Sequence, residues 1–304
     1  MEVKAVQNNR IGWLDAWKGF ATLLVVLGHI ADGYLDAGMF PGYTGVLQTG
    51  YDIIYSFHMP LFFVLSGYAF YVAYAKNREV KKRSMWLQIG NIAVVYILFS
   101  VLQWCFKMVF AGQVNTTYTW KHLWMIPVRT MAPYWYLYVL VLLYMVTWFI
   151  ERVKQPEWLK VFFFLGLYFL SDLLPDSILF EIKRTLYYSF FFYFGIYLAK
   201  AVAPVLAEKL EPLIKHYRKI PKPGVLRWIG TYSLEIYVTH CFITAANRRI
   251  LPAIGITNFY CNIVTNFIMA VLLPVAAACI LKHLRLHSWI FRPVTSLTKH
   301  TSVR

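Results

Sequence analysis

Charge is scarce in this 304-residue chain: 14% of residues are Asp, Glu, Lys or Arg, and the acidic ones number 14. A soluble domain ordinarily carries about a quarter charged residues. No hydrophilic block is long enough to fold by itself, which leaves a single domain over residues 1–304. Cysteine is scarce as well. Cys105, Cys241, Cys261 and Cys279 sit inside apolar stretches without a CxxC pair. That spacing argues against a disulfide framework or a metal site and for inert buried thiols, although Cys241 beside His240 leaves a nucleophile open. Internal repeats are missing. So is an A-x-A-like cleavage site after the first apolar run, which Asp15, Lys18 and His29 interrupt; residues 12–33 therefore read as a retained helix.

What the chain has in excess is apolar length. Hydrophobic residues make up 59%, aromatics 18%, and mean hydropathy is +0.52. The runs predict an all-α, polytopic membrane bundle of about eight spans, at 12–33, 51–75, 86–109, 133–150, 159–175, 185–200, 226–246 and 258–281. With the N-terminus in the cytoplasm, the alternating loops place 23 of the 30 Lys and Arg residues on the inner side. That bias follows the positive-inside rule and predicts both termini to be cytoplasmic. The net charge of +16 is thus a topology signal suited to anionic lipid or a phosphorylated ligand, and argues against nucleic acid. Residues 201–224, with helical spacing and then IPKPG, read as a cytoplasmic amphipathic segment followed by a linker.

Against this background the intramembrane polar residues stand out. KGFATLLVVLGH (18–29) carries Lys18 at one end and His29 at the other, about 16 Å apart at helical rise. His240 lies about 20 Å beyond Arg227, and His58 about 10 Å below the outer face. A single intramembrane imidazole is ordinarily a hydrogen-bonded packing residue. Three at comparable depth on three spans, with Glu235 on the third, point to a site inside the bundle. Glu235 and His240 stand about 140° apart around their helix, so the carboxylate can pair elsewhere. His29 is the candidate base, because imidazole takes and returns a proton near neutral pH. Pro60 and the Ser66-Gly67 pair suit a kinked, closely packed helix, and the rings of APYWYLYVLVLLY (132–144) suit an interface belt.

In order along the chain come LDAWKGFATLLVVLGH (14–29), FHMPLFFVLSGY (57–68), KKR (81–83), YWYLYVLVLLY (134–144) and IGTYSLEIYVTH (229–240). Together they resemble the acyltransferase-3 family of integral membrane O-acyltransferases. The resemblance implies transfer of an acyl group, usually acetyl, from cytoplasmic acyl-CoA to a hydroxyl on an extracytoplasmic or membrane-bound glycan, lipid-linked sugar or other envelope acceptor. It places the protein in a cell membrane as a multi-pass enzyme, expected to be a bacterial plasma membrane, with no permanently bound cofactor. The family's arginine–ten residues–histidine signature falls on Lys18 and His29. Its FFxxSGF-like element falls on Phe62, Phe63, Ser66, Gly67 and Tyr68, and its third-span basic cluster on Lys82 and Arg83. Three features depart from the pattern: Lys18 stands for arginine, Trp86 where the later basic residue falls, and eight spans where ten are usual.

The resemblance and the depth of the polar residues together make His29, His240 and Glu235 the expected catalytic groups. Arg10, Lys18, Arg78, Lys82 and Arg83 are expected to dock the CoA phosphates, and Asp15, His58, Ser66, Trp135 and Tyr136 to bind substrate. The alternative is a transporter or flippase for an anionic or lipid-linked solute, since proton relays also use intramembrane His and Glu. No inverted repeat supports it.

Overall fold

A computed structural model describes residues 11–75, 82–110, 118–175, 180–205 and 224–301. Arg10 and Arg78 lie outside these residues, as do 206–223 of the expected amphipathic segment and the side chain of Lys82. Among the described residues the protein is helical throughout. The helices are α1 (Gly12–Asp36), α2 (Thr44–Phe70), α3 (Lys82–Val109), α4 (Trp120–Met125), α5 (Trp135–Ile150), α6 (Glu157–Leu173), α7 (Phe180–Tyr197), α8 (Gly224–Thr231), α9 (Ser233–Ala253), α10 (Phe259–His283), α11 (His287–Phe291) and α12 (Pro293–Thr301). A π-helical turn extends α2 through Tyr71–Ala75, and another extends α7 through Leu198–Val202.

Among the described residues, five stretches are long and apolar enough to cross a membrane: Gly12–Asp36, Pro41–Tyr74, Arg83–Val109, Phe180–Val205 and Phe259–His283. The remaining expected spans are helical but differ in build. Trp135–Ile150 has 16 residues, about 24 Å at helical rise against a hydrocarbon core of about 30 Å. The expected span at 226–246 is two helices, broken at Tyr232, whose ψ of 16° leaves the helical region. The second of them, α9, carries Glu235, His240, Asn247, Arg248 and Arg249 and is correspondingly less apolar.

Small residues set the helix crossings. A Cβ built on Gly19 would stand 2.0 Å from the Leu226 carbonyl oxygen, and one on Gly230 would stand 1.7 Å from that of Asp15. Helices α1 and α8 therefore meet backbone to backbone. The same holds for α2 and α7, where a Cβ on Gly67 would stand 1.8 Å from the Phe192 oxygen and one on Gly195 2.0 Å from that of Val64. Lipid gives no hydrophobic drive to helix pairing, so close van der Waals approach at small residues carries it.

Two apolar clusters share α1 and α9. Ala21 and Val25 of α1 and Val238 of α9 join a cluster built on α2, α3, α5 and α7. Val26, Ile30 and Tyr34 of α1 and Ile236 of α9 join a second cluster with α10. Helices α1 and α9 thus form the seam between the clusters.

Near one end of that seam Tyr34 donates to Asn262 Oδ1 at 2.5 Å and accepts from Asn266 Nδ2 at 3.0 Å. Asn247 Nδ2 donates to Asn266 Oδ1 at 3.0 Å. All four side chains are buried. Asn266→Leu is expected to strand Tyr34 and Asn247 and to cost about 1–2 kcal/mol, read as a lower denaturation midpoint in detergent.

A second network joins α5, α6 and the extension of α7. Lys200 Nζ donates to Glu157 Oε1 at 2.5 Å and Glu151 Oε2 at 3.1 Å. Lys160 Nζ reaches Glu157 Oε1 at 3.3 Å, and Tyr193 donates to Glu151 Oε1 at 2.7 Å. Two ammoniums face two carboxylates, which is how Lys160 tolerates burial.

Candidate active site

Helices α1, α2 and α9 bring three of the predicted site residues together. The His29 and His240 rings lie 5.1 Å apart between centroids. His240 is fully buried, whereas His29 keeps part of its surface accessible. Tyr55 of α2 links them to the third imidazole. Its hydroxyl stands 3.3 Å from His29 Nδ1, and its ring meets His58 at 4.7 Å, near perpendicular. His58 itself is buried and bonds the Ile54 carbonyl through Nδ1 at 2.7 Å. Tyr55 was not singled out in the sequence; its place one turn before His58 is the signal that carried it.

The tautomer of His240 follows from its partners. Nδ1 lies 3.0 Å from the Ile236 carbonyl oxygen, which can only accept, so Nδ1 carries the proton. Nε2 is then the free base, and Cys241 Sγ lies 3.2 Å from it. The donor atoms of His29, His240 and Cys241 all lie within 4.8 Å of one another. Spacing along the chain had suggested no metal site, yet the fold assembles an N₂S set. A tetrahedral zinc wants such atoms about 3.5 Å apart, so the set would have to contract around it.

Lys18 lines a cavity of about 180 Å³ together with Ser66, Gln88, Tyr136, Ser233 and Tyr237. Ser66 Oγ and the Tyr136 hydroxyl share a 2.6 Å hydrogen bond. Tyr237 donates to the Pro133 carbonyl and Tyr134 to that of Val238, which fastens α9 to the start of α5. A larger cavity of about 670 Å³ lies toward the opposite end of α9, lined by Ala37, Phe106, Ala245, Arg248 and Arg249 among others. On α1 the first cavity meets Lys18 and the second meets Ala37 just past the helix end; His29 lies between. On α9 they meet Tyr237 and Ala245; His240 and Cys241 lie between.

The other predicted residues lie apart. Glu235 does not join the imidazole group: its Oε1 takes a 2.7 Å contact from His287 Nε2 on α11. The rotation between Glu235 and His240 directs the carboxylate away, and the returning C-terminal helix supplies its partner. Trp135 packs on Tyr188 at 5.2 Å with the Arg184 guanidinium 4.8 Å from its ring, outside the Lys18 cavity. Asp15 lies at the α1–α8 crossing, where Oδ2 is buried with no hydrogen-bond partner among the described residues. Arg83 is exposed in the first turn of α3.

The described residues form an apolar helix bundle with an imidazole pair whose positions on α1 and α9 fall between residues lining two cavities, one of them lysine-lined. The acyltransferase-domain family model matches residues 11–215, about two thirds of the chain, and the protein belongs to the acyltransferase-3 family of membrane acyltransferases. His29, His58, Ser66 and Tyr136 lie within the match; His240 and Cys241 lie beyond it. No curated protein and no solved structure matches the chain.

Proposed function

We propose that this protein is an O-acyltransferase, most simply an O-acetyltransferase, that takes its acyl group from cytoplasmic acyl-CoA. The acceptor is a hydroxyl of a glycan or lipid-linked sugar approaching from the other side of a bacterial plasma membrane. The observation that carries the reading is the contact between His29 and His240 in the stretch between the Lys18-lined and Arg248-lined cavities. A donor and an acceptor reaching the same imidazoles from opposite ends need such a layout.

In this reading the Lys18 side faces the cytoplasm. The ammonium offers counter-charge to the CoA phosphates, together with Arg83 and with Arg10, Arg78 and Lys82, which the sequence assigns to the same side of the membrane. The pantetheine arm enters the cavity past Ser66 and Tyr136 and presents its thioester toward His29. His29 removes the proton from the acceptor hydroxyl as oxygen attacks the carbonyl carbon, and Tyr55 orients the ring through Nδ1. The hydrogen-bonded Ser66–Tyr136 pair lines the donor cavity about 16 Å along α2 from Tyr55, so in this reading it guides the pantetheine arm rather than the reacting carbonyl.

The test is transfer of label from [¹⁴C]acetyl-CoA to envelope glycan extract by the purified protein in lipid vesicles. Absence of transfer, together with solute-driven proton movement, would replace the reading with the transporter. Lys18→Gln is expected to raise the KM for acetyl-CoA about tenfold, the equivalent of ~1.4 kcal/mol, with kcat little changed. Lys18→Arg should retain the donor affinity, because charge rather than shape is what the phosphates read here.

A further inference from the structure

Direct transfer leaves the thiol of Cys241 and the His240 imidazole beside it without a task. We infer that Cys241 carries the acyl group as a thioester between the two half-reactions; the inference rests on the acyl-transfer reading above. Buried cysteines are ordinarily inert for want of a base and of access. Here an imidazole is in contact with the sulfur and part of the residue is exposed. His240 Nε2, left unprotonated by the Nδ1 bond to Ile236, stands 3.2 Å from Sγ. Cys241 is partly accessible, and along α9 it lies between residues that line the two cavities. Tyr237, Cys241, Ala245 and Arg248 fall within one face of the helix at i, i+4, i+8 and i+11. Tyr237 lines the Lys18 cavity, and Ala245 and Arg248 line the other. The sulfur is therefore about 6 Å along the axis, one turn, from each.

The chemistry balances without any further reagent. The Sγ–H proton passes to His240 Nε2 as sulfur attacks the carbonyl carbon of acyl-CoA. The carbonyl carbon–sulfur bond to CoA breaks, and the departing CoA sulfur takes that proton. In the second step His29 takes the proton of the acceptor hydroxyl, whose oxygen attacks the acyl-cysteine. The Cys241 sulfur leaves with the electron pair and recovers the proton. His240 then serves the first half-reaction and His29 the second, which gives each imidazole a separate task. A thioester within one turn of both cavities also relieves CoA of having to share the site with the acceptor.

The experiment incubates purified full-length protein in lipid vesicles with [¹⁴C]acetyl-CoA and no acceptor, followed by peptide mass mapping and hydroxylamine treatment. One hydroxylamine-labile acetyl group on Cys241 is expected, with an equivalent of CoA released. His240→Gln is expected to slow labelling by about 10²-fold or more. Cys241→Ser, closest in size, should fail to transfer acetyl from its oxyester at the wild-type rate, while Cys261→Ala serves as the labelled control. Wild-type turnover onto glycan extract with no label at Cys241, or a fully active Cys241→Ala, overturns the inference and leaves acyl transfer standing. One zinc per chain, lost with Cys241→Ser, overturns it too, because the sulfur would then be a ligand. Neither label nor turnover overturns both readings.

Discussion

Replacing His29 by alanine is expected to lower acetyl transfer by about 10²–10⁴-fold, the contribution usual for a positioned general base. The structure gives reason to expect this loss without collapse of the bundle. His29 keeps accessible surface, lies at the seam between the two apolar clusters, and makes a 3.3 Å hydrogen bond to Tyr55. Its removal leaves a hydroxyl in a polar setting rather than a cavity in the core. His29→Gln keeps a hydrogen-bonding group near Tyr55 but cannot take a proton at neutral pH, so it should be as inactive as the alanine variant. Tyr55→Phe, which frees the ring to rotate, should cost about tenfold through kcat. The check is initial-rate label transfer, with the denaturation midpoint measured on the same preparations. A His29→Gln enzyme within a few-fold of wild type would remove the base from the mechanism.

That His29 and His240 meet was foreseeable only in one dimension. Helical rise converts distance from the basic end of each span into depth, and the two imidazoles come out within about one turn of each other on that scale. Depth says nothing about which way a side chain points, and there the sequence was less informative. Glu235 shares the helix of His240 but is turned about 140° from it, and its partner His287 follows the next long helix. No local pattern announces a pairing that depends on how the C-terminal segment folds back. Trp135 presented a similar ambiguity. As part of YWY it suited either an interface belt or a substrate wall, and the Arg184 and Tyr188 contacts that fix its position come from α7. The basic residues show a third limit. Counting cations sorts loops by side, yet Lys160 and Lys200 are engaged by Glu151 and Glu157, so part of the formal excess is neutralised locally. The break at Tyr232 was hidden because both halves of 226–246 are helical and apolar in sequence; it is the backbone contact of Gly230 with α1 that seats the first half separately.

Glycine substitutions should have opposite effects at two places on the same helix. On α2, Gly67→Ala puts a methyl group where the Phe192 carbonyl oxygen stands, at 1.8 Å. Neither partner can yield by rotating a side chain, because the obstacle is backbone. Helices α2 and α7 would have to separate by well over an ångström, which opens the packing of Phe63 on Tyr188 and of Phe70 on Phe192. A cost of about 3 kcal/mol or more is expected, at the upper end for overpacking in a close-packed interior. Gly67→Val should give little folded protein at all. Gly195→Ala, which meets the Val64 oxygen at 2.0 Å from the other side of the same crossing, should behave alike. Gly50 lies on α2 with nothing within 4 Å of a built Cβ and a helical backbone. There alanine removes glycine's conformational freedom at no steric cost and should stabilise by about 0.5–1 kcal/mol. The comparison is made by denaturant midpoint and by the yield of monodisperse protein in one detergent. If Gly67→Ala and Gly50→Ala were equally stable, α2 and α7 could not be in backbone contact, and Ser66 would lose the support that holds it against Tyr136 in the Lys18 cavity.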